Sequence, residues 1–315
     1  MTTIGATKDF RPAIVYGTAG KHDSGYNYSG YLGAERFKKE FKIPYAEGES
    51  VANDAQREQI VRLLAQKGHN PIVAISYELD DAVSNVAKEY PNTKFAILNG
   101  IVDRPNVQSG YFDLQESAFL AGIAAAMKSK TQKIGTILAV EMPTNRALVC
   151  GMQMGAKYIN KNIQFIENIL DSSHKGWNDP ARGAEVAESQ IARGADVLFT
   201  VASHSDYGVL KVVTDKKKAI LFGWAARSNL DSPAILGSAA VDTGEVVYSL
   251  FLAARHGKWK SGIQHLGLQN KFVYFPEGKA STPEIKQAVQ QAERDIISGK
   301  IVVPDSRKYE NRCPI

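Results

Sequence analysis

Short apolar segments alternate with longer amphipathic segments along this chain, and this alternation is the feature that most constrains its fold. Apolar segments at 13–17 and 72–76 are separated by stretches such as 54–66, which carry apolar residues at helical spacing. Such alternation favours parallel sheets with helices on both faces, so the sequence predicts the α/β class. Further strands are predicted at 95–99, 134–140, 163–169, 197–201, 220–223 and 235–239, and further helices at 32–41, 80–89, 116–128, 146–160, 183–193 and 244–255.

The two halves of the chain resemble each other coarsely. Each half opens with a strand, a polar loop and a helix and then repeats the unit, and 315 residues are enough for two ordinary domains. Two doubly wound sheets on one chain normally face each other across a cleft. The sequence therefore predicts two doubly wound, Rossmann-like lobes with a ligand cleft between them. A final helix is marked by Thr282 as its cap, Pro283 in its first turn and Gly299 at its end.

The net charge of +5 does not by itself indicate a nucleic-acid partner. The densest basic run, at 216–218, precedes a predicted strand and is typical of a solvated turn. A nucleic-acid site would need a longer basic stripe, with interleaved aromatic residues if it bound single strands. We therefore predict that nucleic acid is not a partner.

Two compartments are compatible with the sequence. No apolar run approaches the ~18 residues that a membrane helix needs. The opening segment MTTIGATKDF lacks a basic stretch followed by an apolar one, which is the pattern of a secretory signal peptide. Either the protein is cytoplasmic or a signal peptide has been removed, and the sequence leaves both alternatives open.

Polar and aromatic residues follow several predicted strands. In an open parallel sheet, ligands bind beyond the carboxyl ends of the strands. The loop after the first strand, GTAGKHDSGYNYSGY at 17–31, combines glycines, polar groups and three tyrosines. Flat side chains can sandwich a ring and polar groups can orient it, so we predict a small-molecule site. The candidate ligand-binding residues at the strand ends are Asp23, Tyr26, Asn27, Ser76, Tyr77, Asn99, Glu141, His204, Asp206 and Trp224.

Three of these candidates also have an ordinary structural explanation. Tyr26 can be a half-buried packing residue rather than a stacking surface. Trp224 can plug the edge of a sheet, and Asn27 can cap the helix that follows it. The sequence does not decide between these alternatives.

Motifs of the common enzyme classes are missing. The chain contains no G-x-S-x-G, G-x-x-x-x-G-K-[ST] or H-E-x-x-H motif, and the glycines of the opening loop do not make G-x-G-x-x-G. His22 with Asp23, and His204 with Asp206, would make a zinc site only if the lobes brought both pairs together. We therefore expect no cofactor, no metal and no catalytic residue.

The two cysteines, Cys150 and Cys313, are too few for a Cys-rich metal site but suffice for one disulfide. Cys150 lies in a predicted helix, which argues against a catalytic thiol. Cys313 lies in a tail, NRCPI, that has no evident core of its own. In an extracytoplasmic protein, a Cys150–Cys313 disulfide would pin this tail.

Several segments resemble one protein family. The segment DSGYNYSGYLGAERFKKE at 23–40 resembles the D-K-S-F-N-x-x-x-x-x-G signature of the basic membrane protein family, and YFDLQESAFLAGIAAAMKSK at 111–130 is a second specific match. GMQMGAKYIN at 151–160 and WNDPARGAEVAESQIARGADVLF at 177–199 also match, and the likeness covers 11–315. Members of the family are type I periplasmic substrate-binding proteins of ABC transporters, and the best-known members are purine nucleoside receptors.

The resemblance implies a domain organisation and partners. It implies two Rossmann-like lobes joined by three crossing strands and closing on a ligand. Lobe 1 would comprise 11–113 and 242–275, and lobe 2 would comprise 114–241 and 276–315. The expected partners are a small-molecule ligand and the membrane permease of an ABC transporter, and we expect a monomer.

The resemblance also implies roles for individual residues. The family's base-stacking Phe corresponds to Tyr26, the neighbouring Asn to Asn27 and the first Asp of the motif to Asp23. An Asp that contacts the purine edge corresponds to Asn99, and an aromatic residue of the second lobe lies near Phe199.

The part of the site that binds ribose in the family differs here. The typical G-V-D, whose Asp contacts the ribose hydroxyls, is GWA at 223–225, and an expected Lys is Val241, followed by Asp242 as a further candidate. A Gly-Gly-Thr-Gly loop is SHSD at 203–206. A site built to bind hydroxyls loses strongly without those partners. We therefore expect a free purine-like base or another flat heterocycle, with Trp224 filling the ribose space or stacking on a second ring.

Three functions remain in competition. The leading hypothesis is a non-enzymatic protein, periplasmic or anchored to a membrane outside the cytoplasm, that delivers a flat heterocycle to a permease. Within the same class, an ordinary purine nucleoside receptor is the alternative. The second hypothesis is a cytoplasmic sensor with the same fold. The third is a hydrolase or lyase that uses His204, Asp206 or His22.

Overall fold

A computed structural model describes residues 10–18, 20–23, 25–49, 53–224, 231–310 and 312–313. Its contacts divide the chain into two compact units, which we describe separately. The first unit contains the described residues up to Phe112 together with Asp242–Leu266. The second unit contains Asp113–Val241 and the described residues from Gly267 onward.

The strands are β1 (Ala13–Tyr16), β2 (Ala46–Glu49), β3 (Ile72–Ala74), β4 (Phe95–Leu98), β5 (Val107–Phe112), β6 (Lys133–Leu138), β7 (Gln164–Ile169), β8 (Val197–Val201), β9 (Ala219–Gly223), β10 (Ile235–Val241), β11 (Gly262–Leu266) and β12 (Val273–Tyr274). The α-helices are α1 (Tyr26–Phe41), α2 (Asp54–Gln66), α3 (Asp80–Glu89), α4 (Leu114–Lys128), α5 (Pro143–Ile159), α6 (Pro180–Ala192), α7 (Asp206–Asp215), α8 (Thr243–Arg255) and α9 (Pro283–Ile297).

The first unit is built on a parallel sheet with the strand order β11-β5-β4-β3-β1-β2. Val15, Ala74 and Ile97 on neighbouring strands share one buried cluster with residues of α2 and α3. Helix α1 packs on α8, where the rings of Phe37 and Phe251 meet edge to face at 5.4 Å. This arrangement leaves the carboxyl ends of β1, β3 and β4 next to one another at one edge of the sheet.

The second unit repeats the strand order, as β12-β10-β9-β8-β6-β7, with β12 antiparallel to its neighbour and the other strands parallel. Helices α6 and α7 share a buried cluster with β6, β8 and β9. Both units are therefore doubly wound α/β sheets, and the predicted fold class is confirmed. Residues 267–275, which we expected in lobe 1, belong to the second unit because β12 pairs with β10.

Helix α1 begins earlier than expected. The sequence predicted a helix over 32–41, but α1 spans Tyr26–Phe41. Tyr26 and Asn27 therefore lie in the first turn of a helix rather than in a loop. Likewise, Asp206 is the first residue of helix α7, although the resemblance to the family predicted a loop at 203–206.

Glycines at the crossing of α4 and α5 permit unusually close packing. A Cβ added at Gly155 would lie 1.9 Å from the Phe119 carbonyl oxygen, and one at Gly122 would lie 2.0 Å from the Met152 carbonyl oxygen. Gly151 and Gly155 have the small-x-x-x-small spacing that allows such a close approach, and the partner that approaches them is helix α4, which is buried along most of its length.

The structure joins Cys150 to Cys313 by a disulfide, the pairing that the sequence analysis raised. Cys150 is buried in α5, and the bond connects positions 163 residues apart. The tail has a second attachment, because Asp305 and Ser306 are also buried and the Arg307 side chain donates to the Asp305 carboxylate at 2.9 Å. The tail is thus held both by the disulfide and by buried polar residues.

We expect removal of the disulfide by the Cys150→Ala/Cys313→Ala pair to lower the free energy of unfolding by about 2–4 kcal/mol, because the unfolded chain regains conformational freedom. Urea unfolding of oxidised wild type, reduced wild type and the double variant measures this change. Reduced wild type should match the double variant. Two free thiols in native, unreduced protein would contradict the pairing.

Candidate functional site

The Asp23 carboxylate organises the start of α1. Its Oδ1 atom accepts hydrogen bonds from the backbone N–H groups of Gly25 at 2.9 Å and Tyr28 at 3.0 Å, and its Oδ2 atom accepts one from the Asn27 N–H at 3.0 Å. The first N–H groups of a helix have no partner within the helix, so a carboxylate at this position stabilises the helix start. Asp23 was predicted to contact ligand, but its described contacts are those of a capping residue.

The Asn27 side chain connects β1 to α1. Asn27 is 4% exposed; its Oδ1 atom accepts a hydrogen bond from the Gly17 N–H at 2.9 Å, and its Nδ2 atom donates one to Asp23 at 3.0 Å. Asn27 is therefore not the helix cap that the sequence offered as the alternative to a ligand contact, because it lies within the first turn of α1 and its side chain bonds Gly17 and Asp23. Asn27 fixes the distance between the end of β1 and the first turn of α1.

The ends of β1 and β3 are joined by Glu78. Its Oε2 atom accepts hydrogen bonds from the Thr18 N–H at 3.0 Å and from the Ser76 hydroxyl at 3.2 Å. Arg57 donates to the Thr18 hydroxyl at 3.1 Å. Ser76, a predicted ligand residue, is thus part of the turn, whereas its neighbour Tyr77 is 41% exposed.

The Tyr26 hydroxyl is buried, although the residue as a whole is half-buried. This burial raises the pKa of the Tyr26 phenol. The ring meets Phe112 edge to face, with 6.3 Å between the ring centroids and an interplanar angle of 72°. An aromatic ring fixed in this way, on a residue that is only half-buried, is a candidate for stacking on a flat ligand.

Asn99 and Asp80 lie together at the carboxyl end of β4. Asn99 has a left-handed backbone with φ of 63°, which Asn tolerates better than most residues. The neighbouring Gly100 leaves room for Asp80, because a Cβ on Gly100 would lie 1.9 Å from the Asp80 Oδ1 atom. Burial raises the pKa of Asp80 to about 7, while a hydrogen bond from the Ile101 N–H acts to lower it.

Asp242 caps α8, since its Oδ1 atom accepts a hydrogen bond from the Glu245 N–H at 2.9 Å. The preceding Val241 is 3% exposed in β10. The positive charge that the family's Lys would supply at position 241 is therefore missing from Val241 and Asp242.

In the second unit, Glu141 is paired with Arg146 at the carboxyl end of β6. The other arm of the Arg146 guanidinium lies 2.7 Å from Glu167. The Glu141 hydrogen bond raises the pKa of Arg146, which stays charged. The sequence analysis did not single out Arg146, because one Arg in an amphipathic helix carries no signal until its two carboxylate partners are known.

Phe199 does not present a surface to a ligand in this structure. It is 0% exposed within β8, and a Cβ on Gly223 would lie 3.4 Å from its ring. We had expected an aromatic contact near this position, but the inward side of a buried strand places the ring in the core.

His204, Asp206 and Trp224 follow β8 and β9. His204 is exposed, with its ring 6.1 Å from that of Tyr207. Asp206 accepts a hydrogen bond from the Thr200 hydroxyl at 2.5 Å, and burial raises the pKa of Asp206 to about 7. Trp224 is half-buried, and its backbone N–H donates a hydrogen bond to the Ala239 carbonyl at 3.0 Å. Ala225, which stands where the family has its ribose-binding Asp, lies outside the described residues.

Asp80 and Asp206 occupy equivalent places in the two units. Strands β3 and β8 hold the same position in their sheets, and each leads through a short 3₁₀ turn into a helix whose first residue is the Asp. Burial raises the pKa of both carboxyls. The coarse two-fold resemblance seen in the sequence therefore extends to a pair of buried carboxyls, which no sequence motif marks.

Within the described ranges, no group of three or more His, Cys, Asp or Glu side chains is arranged to hold a metal ion. None of the helices in those ranges combines the length and apolar character that crossing a membrane requires.

Comparison with known proteins finds similarity over nearly the whole chain. The sequence profile of the Bmp family, described as ABC transporter substrate-binding protein PnrA-like, matches residues 13–307. The ABC transporter nucleoside-binding protein BmpA of Lactococcus lactis is 29% identical over 96% of this chain and 91% of its own length. An uncharacterized lipoprotein of Pyrococcus horikoshii is 30% identical over 85% of this chain and 69% of its own length.

Solved structures support the fold. A solute-binding protein of an ABC transporter system from Aeropyrum pernix superposes with a TM-score of 0.78 at 20% identity, covering 96% of this chain and 98% of that one. A similarity at this identity concerns the fold alone.

The raised pKa of Asp80 predicts a pH-dependent stability. An unfolded Asp has a pKa near 3.9, so between about pH 4 and 7 the unfolded chain loses its proton before the folded chain does. Stability should therefore fall as pH rises through this window, by roughly 1–3 kcal/mol from Asp80. In Asp80→Asn this part of the decline should be absent. Chemical unfolding at a series of pH values measures it.

The exposed Asp103→Asn is the matched control, because it removes a carboxylate from the same unit without changing a buried group. Its stability should depend on pH as wild type does. An Asp80→Asn profile parallel to wild type would contradict the assignment.

Proposed function

Because the chain belongs to the Bmp family of PnrA-like ABC transporter substrate-binding proteins, we propose that its ligand is a flat heterocycle that stacks on Tyr26. The family expected from the segments at 23–40 and 111–130 is thereby confirmed. As a member, the chain is a substrate-binding protein that supplies a small molecule to the permease of an ABC transporter. The finer assignment concerns which small molecule it carries.

The observation that carries this proposal is the way Tyr26 is held. Its hydroxyl is buried, its ring is set edge to face against Phe112, and the residue retains exposed surface. Asp23 and Asn27 hold the first turn of α1 in place, so little backbone entropy remains to be lost when a ring stacks on Tyr26. A rigid aromatic surface favours planar ligands of any ring substitution, because every heterocyclic base has a π-face.

The residues near the expected sugar position favour a base over a nucleoside. Val241 is buried and apolar, and Asp242 uses an oxygen to cap α8. A ribose would place hydroxyl groups that need hydrogen-bond partners, and unpaired buried hydroxyls lower affinity strongly. Trp224 is still a predicted ligand contact. We expect it either to fill the space that a ribose would take or to stack on a second ring of the ligand.

A purine nucleoside is the competing ligand. The relative from Lactococcus lactis is named as a nucleoside-binding protein, which makes a nucleoside the natural alternative for this chain. Both ligands place a flat ring on Tyr26, so they differ only in whether the sugar contributes to affinity.

We also propose an extracytoplasmic location. The Cys150–Cys313 disulfide fits an oxidising compartment, since disulfides are rare in reducing cytoplasm. The relative from Pyrococcus horikoshii is named as a lipoprotein, which is consistent with anchoring at a membrane surface.

Calorimetry with adenine, guanine, adenosine, guanosine and inosine tests the ligand class. We expect the free bases to bind more tightly than the matching nucleosides. Tyr26→Ala should weaken binding by about 1–3 kcal/mol through loss of stacking. Tyr26→Phe keeps the ring and should retain most of the affinity, while Tyr28→Ala, in the same helical turn, is the control for the loss of an aromatic residue.

Two results would argue against the proposal. Tight binding of a nucleoside without binding of the bases would restore the ordinary function of the family. Equal losses in Tyr26→Ala and Tyr28→Ala would remove the stacking role. Recovery of each compound unchanged after prolonged incubation with the protein is expected for a carrier, and a converted product would favour an enzyme.

A further inference from the structure

A concave surface at the amino ends of the strands in the second unit is unrelated to the candidate ligand residues. It encloses about 470 Å³. Its lining residues are Lys128, Lys130, Asp196, Thr214, Lys217, Lys218, Ala219, Pro233, Ala234 and Ala280. Because Asp196 immediately precedes β8 and Ala219 begins β9, this pocket lies at the sheet edge opposite to Glu141, His204 and Trp224. We call it the lysine pocket.

The charge of the lysine pocket is strongly positive. Four lysines line it, and Asp196 is its acidic lining residue. The Asp196 carboxylate already accepts hydrogen bonds from the Ser129 hydroxyl at 2.6 Å and from the N–H groups of Lys130 at 2.7 Å and Thr131 at 3.1 Å. Asp196 therefore shapes the turn that carries Lys130, and its carboxylate, which these bonds keep ionised, offsets one of the four lysine charges.

Several lysines are positioned by backbone contacts. The Lys128 ammonium donates to the Ala280 carbonyl at 2.8 Å. Lys217 has a left-handed backbone with φ of 54°, and the Lys218 N–H donates to the Val213 carbonyl at 2.9 Å, which closes the turn after α7. The turns that follow α4 and α7 thus place these lysines in the lining of one pocket.

A purely structural explanation accounts for only part of this charge. Helices α4 and α7 end at this edge, and a helix C-terminus carries roughly half a negative charge that a nearby lysine offsets. Two C-termini and the Asp196 carboxylate together offset about two positive charges, whereas four lysines line the pocket. The surplus requires an anion or exposure to water.

We propose that the lysine pocket binds the phosphate group of a phosphomonoester. Lys is an effective point-charge partner for phosphate, and several lysines can share the two negative charges. The volume falls within the range of about 300–1,000 Å³ of small-molecule sites, so it has room for an organic group beside the phosphate. The phosphate could belong to a soluble metabolite or to the headgroup of an anionic lipid. This site stands apart from the proposed function, since its residues are not among the candidate ligand contacts.

Two probes distinguish these sources in the full-length oxidised protein. Calorimetry with glycerol 3-phosphate reports a soluble phosphomonoester. Co-sedimentation with phosphatidylcholine vesicles, with and without phosphatidic acid, reports a lipid headgroup. In Lys130→Gln/Lys217→Gln, two exposed amines are lost while Lys128 keeps its contact with Ala280. We expect about a tenfold or greater loss of affinity for whichever probe binds wild type.

Lys161→Gln/Lys175→Gln is the matched control, because it removes the same charge from exposed positions of the same unit outside the pocket. It should bind as wild type does, and all variants should bind adenine equally. Binding of glycerol 3-phosphate supports a soluble ligand, and binding to acidic vesicles alone supports a lipid. Absence of binding to both probes, or equal losses in the pocket and control variants, would overturn the proposal.

Discussion

The Asp23 carboxylate fixes the geometry on which the candidate site depends. By accepting hydrogen bonds from three backbone N–H groups, it starts α1 at Tyr26 and holds Asn27 against the end of β1. Hydrogen bonds to a charged group are among the stronger ones in proteins. The aromatic ring of Tyr26 is therefore placed by the backbone of its own helix. A loop residue at the same position would have many more conformations to lose on binding.

The sequence predicted the buried strands well and the partly exposed or polar strands poorly. The strand at 197–201 and the helices at 54–66 and 80–89 agree with the structure, because apolar periodicity marks them directly. β2, with the sequence AEGE, and β5, with VQSGYF, were missed. The edge strand β2 buries little apolar surface, and β5 has the small residues Ser109 and Gly110 between its buried Val107 and Phe112, so neither has a continuous hydrophobic signature.

The candidate site was predictable at the level of strand ends but not of individual roles. Tyr26 and Trp224 keep exposed surface, whereas Phe199 is buried and Asp23 caps a helix. Whether a polar side chain at a strand end faces a ligand or the backbone depends on the first turn of the next helix. Asp80 is a residue that the sequence did not mark, because a single Asp at the start of a helix is common. Its carboxyl group is buried because Gly100, which lies 20 residues further along the chain, packs closely against it.

The bond between Cys150 and Cys313 also changes what a protease can release. The segment between α9 and Cys313 carries exposed residues, such as Lys300 and Tyr309, at which the chain can be cut. A cut there would leave the distal fragment covalently attached to α5 for as long as the bond is intact. A nicked molecule would keep its full mass under non-reducing conditions, and only a reductant would release the fragment. For a protein outside the cell, where proteases are present and thiols are scarce, such nicking would be harmless.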